Sequence, residues 1–385
     1  MRRAVVSVAL SLFLLQGCSE QPPETREIPV SSRSYQGHET ERDGDRLAAV
    51  YPSLVGTRLD DCQTCHSGRI DGGRLVASSC DFCHDLLLFE EGHSVGETLN
   101  GFGRDYLAAG RNAEALEGIR EYDSDGDGFS NHEELLAGRY PGSQRSVPGQ
   151  ATATILTLSP GEIRSLPFHR QFLLANNTQQ QFDDYVDYGG VLLADVLDAA
   201  GVDRTGATGI TVIAPDGYMK SLSIDYVDRV FPSPVYYGGL GVESLGAECG
   251  VVRYPEAIPE GVSDGDPLPG EIRLLLAYER DGVMLDRTVL DVADGKINGE
   301  GPYRVVVPQA NPGRPDRGTR FSPSNCGDGL DFRFDADHNA GHSVRGVVAI
   351  RIDPMPPGVE EYDYMNGGWA YVEAGELIIY GHGVG

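Results

Sequence analysis

The chain has 385 residues, 40% hydrophobic, 23% charged and 8% aromatic; this suits two or three folded domains and excludes a collagenous, coiled-coil or wholly disordered chain. Fifty glycines and 23 prolines against one tryptophan point to a turn-rich, sheet-leaning molecule. The 31 basic and 58 acidic residues leave a net charge of −27, which excludes phosphate-tracking nucleic-acid binding and disfavours plain adsorption to anionic lipid.

In chain order, Arg2 and Arg3 precede a short apolar run from Ala4 to Leu15. That run falls short of the roughly 20 residues a membrane-spanning helix needs, so it reads as an export signal. Leu15-Gln16-Gly17-Cys18 resembles the lipobox of bacterial lipoproteins. The resemblance implies removal of residues 1–17, lipidation of Cys18 and a chain anchored on the periplasmic side of the envelope. Ser19 after the cysteine, rather than Asp, implies outer-membrane sorting. An ordinary secretory signal with an incidental cysteine is the plain alternative.

Residues 18–48 are polar, charged and proline-containing, the composition of a tether. Residues 49–145 are glycine-rich and helix-leaning and hold four of the seven cysteines. Ser146–Gln150 reads as a hinge. The remainder, 151–385, predicts strands at Thr152–Leu158, Ile210–Ala214, Ile272–Glu279, Tyr303–Val307, Val347–Ile352 and Leu377–Tyr380. One helix is predicted over Leu192–Ala200, stopped by Gly201.

The strongest signal is a repeated motif, Cys62-Gln63-Thr64-Cys65-His66 and Cys80-Asp81-Phe82-Cys83-His84. C-x-x-C-H is the attachment signature of c-type haem. Two thiols on one turn add to the two haem vinyl groups, and the adjoining histidine reaches the iron from the same side. A zinc ribbon and a pair of disulfides also fit four cysteines, but neither explains a histidine after the second cysteine both times. His66 and His84 are therefore the expected proximal iron ligands. After Met1 the first methionine is Met219, so distal Met ligation is not expected. His93 is the first choice for a distal ligand and His38 the second. Without axial methionine both haems are expected at low potential. The region is similar to small bacterial multihaem cytochromes c.

Residues 123–134 match D-x-[DN]-x-[DN]-G-x5-E in full. Asp123, Asp125, Asp127 and Glu134 supply carboxylates, Phe129 a backbone carbonyl and Asn131 the ninth position, a donor set for Ca²⁺. Helices are predicted to flank the loop at Ala113–Glu121 and Glu133–Ala137, and His132 is expected to face solvent. The loop resembles EF-hand and dockerin-like loops of exported bacterial proteins. Ser130 replaces the aliphatic that pairs such loops, which implies a single structural site clamping the haem segment. An acidic surface turn is the alternative.

Further on, Gly190–Val202 followed by Ile210–Tyr218 resembles the "G-V-x-L-x-D-L-L-x-x-A-G-V … V-x-x-x-D-G-Y" stretch of sulfite-oxidase-type molybdopterin-binding domains. Leu275–Gly282 and Gly301–Pro308 are similar to two further motifs of that family. The resemblance implies an α+β, mainly mixed-sheet domain. The family's molybdenum-ligating cysteine is not found, since Leu166–Tyr188 contains His169 but no Cys, so molybdopterin is not expected. Cys249 and Cys326 are left for a disulfide or a relocated metal ligand. Asp335–His342 is a remaining polar cluster, and Arg304, Arg345 and Arg351 are candidate anion contacts.

The expected fold is thus multidomain: a small, mostly α cytochrome c-type dihaem module followed by an α+β, sheet-rich sulfite-oxidase-like domain. The expected function is an exported, lipid-anchored dihaem c-type cytochrome carrying electrons, with two haem c groups and Ca²⁺. Its redox partners would dock through a basic face, its membrane contact would be the acyl anchor, and nucleic acid is not a partner. A molybdopterin-dependent oxidoreductase with a haem relay and a non-redox metal-binding surface protein are the rival readings.

Overall fold

The computed structural model describes residues 42–60, 64–65, 99–177, 183–214, 218–238, 240, 252–291, 296–316, 332–363 and 374–385. Before residue 150 it forms α1 (Arg42–Val50), a 3-10 turn at Pro52–Leu54, α2 (Gly101–Ala108), α3 (Ala113–Gly118) and α4 (Asn131–Leu136). Helices this short are not stable alone in water. They hold because Leu47, Leu54, Leu59, Phe102, Leu116, Ile119 and Leu135 bury one shared apolar cluster. Their starts are capped by side chains: Asn100 Oδ1 accepts from Gly103 N, Asn112 Oδ1 from Ala115 N, and Ser130 Oγ from Glu133 N.

The expected pairing of a small, mostly α cytochrome module with a sulfite-oxidase-like α+β domain does not hold. The described residues form a sheet-rich molecule with no small, mostly α cytochrome module evident among them. The physical reason lies in helix length. α2, α3 and α4 run only six to eight residues each, set between turns and a metal-loop sequence. They pack on one another, and polar contacts from Arg58, Arg139 and Ser146 to Glu360 join the segment to the sheets.

From residue 151 strands dominate. β1 (Ala151–Thr152) and β2 (Ile155–Leu158) lead through α5 (Pro160–Ser165) to β3 (Phe168–Ala175) and β4 (Asp183–Leu192). Then come α6 (Leu193–Ala199), β5 (Gly209–Ile213), β6 (Met219–Ser223), α7 (Asp225–Asp228) and β7 (Val252–Arg253). β8 (Leu275–Arg280), β9 (Val283–Met284), β10 (Val289–Asp291), β11 (Lys296–Asn298) and β12 (Arg304–Val306) follow, and β13 (Ala349–Asp353), β14 (Val359–Glu360) and β15 (Leu377–Gly381) complete the chain. One large sheet runs β12-β8-β4-β3, with β7 on β4 and β9 on β8; the second runs β2-β15-β13-β5-β6, and β1–β14 and β10–β11 form separate two-stranded pairs.

The two sheets bury a common core, and strand periodicity shows how. Leu274, Leu276, Val305 and Val307 face the same cluster as Ile210, Val212, Ile350, Ile352, Leu377 and Ile379. The alternate residues Leu275, Ala277 and Val306 fill a second cluster, and Ile213, Ala349, Ile378 and Tyr380 a third. Both faces of these strands are covered, which is why they read as continuous apolar runs rather than as alternation. α6 packs Leu193, Val196 and Leu197 into the shared core and stops before Gly201, whose φ of +69° suits a residue without a Cβ.

β3 and β4 are absent from the sequence-based strands, although they form the longest pairing among the described residues, from Phe168 opposite Val191 to Ala175 opposite Asp184. β4 reads DDYVDYGGVL, with acids and paired glycines that disguise it. The glycines have a local cause: the β4–β8 register shifts between Gly189 and Gly190, and a Cβ on Gly190 would lie 2.2 Å from the Leu276 carbonyl oxygen.

The expected hinge at 146–150 is tied down. Ser146 is buried, its Oγ donates to Glu360 Oε1 at 2.6 Å, and Arg58 Nη2 donates to the same oxygen at 2.5 Å. Arg139 pairs with the other Glu360 oxygen, and the Tyr140 hydroxyl donates to Asp363 Oδ2 at 2.5 Å. These buried polar contacts fasten the helical segment to the sheets beside the β1–β14 pair.

Candidate metal centre

The loop at 123–134 is built from side chains that turn their own backbone. Asp123 accepts from Gly126 N at 2.7 Å and Gly128 N at 3.0 Å, Asp125 Oδ1 from Asp127 N at 3.1 Å, and Asp127 Oδ1 from Phe129 N at 2.9 Å. Gly128, the sixth position, has a φ of +100°, a conformation that strains any residue with a Cβ. Ser130 begins α4 with a reciprocal capping box to Glu133. That cap gives Ser130 its role: it sets the direction of the helix that carries Glu134.

What remains after these bonds is a set of oxygens with nothing to bind. Asp125 Oδ2, Asp127 Oδ2, both Glu134 Oε atoms and Asn131 Oδ1 are buried without a hydrogen-bond partner. Asp123, Asp125 and Asp127 can each bring one oxygen within 4.8 Å of the others; Glu134, outside that trio, is fully buried and within electrostatic reach of all three. Burial, then the neighbouring carboxylates, push Glu134 up to about 9 and Asp125 to about 6. Unpaired buried carboxylates cost several kcal/mol each unless a cation joins them. Hard oxygen donors from the first, third, fifth and twelfth positions fit Ca²⁺. Asn131, the ninth position, donates Nδ2 to the Ile119 carbonyl and leaves Oδ1 over. Phe129, the seventh, is held by its own N–H on Asp127.

His132 does not face solvent as expected. Its ring lies 5.9 Å from that of Tyr51, and Arg120 Nη2 sits 2.6 Å from Nε2. The first turn of α4 aims it back at the helical cluster.

The loop and the first cysteine motif lean on opposite sides of α2. A Cβ on Gly101 would lie 2.0 Å from the Ser124 carbonyl oxygen, and one on Gly103 would lie 2.1 Å from that of Cys65. Asn100 ties the joint: its N–H donates to Cys65 O at 3.0 Å, its Nδ2 donates to Thr64 O at 3.2 Å, and it is buried. Cys65 packs at the edge of the helical apolar cluster. Sequence reading had no signal for α2; glycines one and three residues after an asparagine carry none until tertiary contact is known.

Cys62, His66, Cys80, Cys83, His84, His93 and His38 lie outside the described residues, as do Cys18, Cys249 and Cys326. In the sheet region Arg351 is occupied by Asp353 and Glu361. Asp337 Oδ2 accepts from Ala310 N and Asn311 N and so shapes a turn. His338 and His342 stand in the wall of a cleft together with Arg304 and Arg345. No protein-family model matches the chain, and no curated protein shows significant similarity to it.

Proposed function

We propose that the chain is an exported, lipid-anchored electron-transfer protein carrying two covalently bound haems, with a calcium loop that braces the first attachment segment. One observation carries the reading: C-x-x-C-H occurs twice, the second copy beginning 18 residues after the first. Cys62 and Cys65, then Cys80 and Cys83, would hold the porphyrins by thioether bonds, with His66 and His84 as iron ligands. His93 and His38 are the candidates for the opposite faces. Haem supplies one-electron redox chemistry when bound. The chain's own part is to hold two such groups close enough for relay and to keep the attachment segment rigid.

Two features support the bracing role. The Cys65 carbonyl is pinned by Asn100, and α2 touches both Cys65 and the loop at Ser124. The orphaned oxygens of Asp125, Asp127 and Glu134 give calcium a reason to be there. A cation in that cage would fix the loop and, through α2, the first motif. The acyl anchor at Cys18 places the protein on the periplasmic side of the envelope, and its −27 charge favours redox partners with a basic face.

The test is expression with the full leader in a host competent for haem attachment, followed by a pyridine haemochrome assay and peptide mass spectrometry. Both motif peptides should carry haem. Free or mutually bridged sulfurs at 62/65 and 80/83 in correctly exported protein would end the proposal, leaving a non-redox, calcium-binding surface protein.

A further inference from the structure

Among the described residues of the sheet region is a cleft of about 740 Å³, lined from β4, β6, β8, β12 and the segment after residue 337. That volume suits a small molecule. Its charge is opposite to that of the chain. Lys220, Arg253, Arg280, Arg304 and Arg345 face two carboxylates, Asp184 and Glu300, in a protein of net charge −27. Charges elsewhere on the surface are screened beyond about 8 Å at physiological salt, so a ligand in the cleft feels chiefly these local cations.

Lys220, Arg280, Arg304 and Arg345 carry more positive charge than the carboxylates paired with them, Glu300 and, 3.5 Å from Arg280 Nε, Asp281. Arg280 Nη1 and Arg304 Nη1 each lie 2.6 Å from a Glu300 oxygen, so one carboxylate serves two guanidinium groups. Burial opposes ionisation of Glu300, but Arg304 and Arg280 outweigh it and hold the carboxyl below its usual range. Both arginines stand over the fully buried Tyr188 ring, 6.0 and 5.6 Å from its centre, which fixes their planes. Arg304 Nε is buried without a hydrogen-bond partner. Lys220 and Arg345 make no ion pair among the described residues. His338 joins the wall with its ring stacked on Phe332 at 4.6 Å and Nε2 3.3 Å from Asp316 Oδ2.

The resemblance to molybdopterin-binding domains raises the question of a metal cofactor, and the donor set does not fit one. β3 and the turn after it bring Ala175 and Asn177 to the cleft, Leu166–Tyr188 contains no cysteine, and the described lining residues offer no thiol, Cys249 and Cys326 lying outside the described residues. Molybdenum bound without its thiolate would lack the ligand that sets its chemistry. We infer that the cleft instead takes a small, metal-free organic phosphate, held by Arg280 and Arg304, by Arg345, which bridges to Arg304 across the strands, and by Lys220. Planar guanidinium forks and a dianionic phosphate match in both charge and geometry.

The inference is independent of the haem reading, and calorimetry on the full chain tests it with a hexose phosphate as the probe. Ionic strength and calcium are held fixed, and the unphosphorylated hexose is the control. Saturable binding is expected for the phosphate ester alone, weakening as salt is raised. Lys220→Ala and Arg345→Ala should each weaken it about tenfold, in line with loss of one charge-assisted contact. Both side chains lie outside the packed clusters, so melting curves of the two variants should match the parent. Absence of saturable binding, or binding unchanged in both variants, overturns the assignment. Molybdenum recovered in stoichiometric amount with the purified protein overturns it as well.

Discussion

Replacing Glu134 with glutamine removes one negative charge from a cage of four carboxylates and leaves the side-chain shape almost unchanged. Two effects of opposite sign follow. With calcium in hundredfold excess over Kd, binding stabilises the folded loop by about 2.7 kcal/mol. Losing the twelfth-position carboxylate should weaken binding roughly a hundredfold, since charge count and the bidentate ligand set affinity in such loops. At the same calcium concentration the stabilisation then falls to about 0.4 kcal/mol. In calcium-free protein the variant should instead be at least as stable as the parent, because the parent buries both Glu134 oxygens without a partner.

The same residue sets a pH dependence. Glu134 lies at about 9 in the folded chain against an ordinary value of 4.5, so between those limits the calcium-free folded state holds more protons than the unfolded one. Stability without calcium should therefore fall as pH rises through that window, most of it present near the lower limit. Calcium displaces the proton, so its affinity should climb over the same range. Thermal melts with and without a chelator, at several pH values, read both effects. Equal destabilisation by Glu134→Gln in the presence and absence of calcium would mean a packing role and refute the cage.

Other expectations follow from the remaining contacts. Glu360→Ala strands Arg58 and Arg139 in a buried setting and should cost about 3–5 kcal/mol, seen as a lower urea midpoint and faster proteolysis near residues 146–150. Gly103→Ala drives a methyl group into the Cys65 carbonyl, 2.1 Å away, and should cost about 1–3 kcal/mol. In the haem reading it should also lower haem occupancy at Cys62/Cys65 while sparing Cys80/Cys83, a difference peptide mass spectrometry resolves. In the same haem reading, redox titration should place both haems at low potential, since no methionine precedes Met219 after the first residue; two strongly positive midpoints would contradict histidine-only ligation.

The proposed local chemistry rests on sequence neighbours. The calcium loop declares itself because its ligands are neighbours in sequence, and the haem motifs because each thiol pair and histidine must share one turn. Continuous apolar runs likewise announced Leu275–Arg280, Ala349–Asp353 and Leu377–Gly381, since strands covered on both faces need no alternation. Tertiary structure alone decided the rest. β4 is a central strand despite its acids and glycines because β3 and β8 flank it and a bulge accommodates Gly190. The helices before residue 150 bury an apolar cluster of their own, yet the segment is riveted to Glu360 through Arg58, 302 positions away, and Ser146, a pairing no local pattern encodes. The cationic cleft gathers Lys220, Arg280, Arg304 and Arg345 from strands and turns far apart in the chain. Each looks like an ordinary surface charge until the fold sets them facing one another.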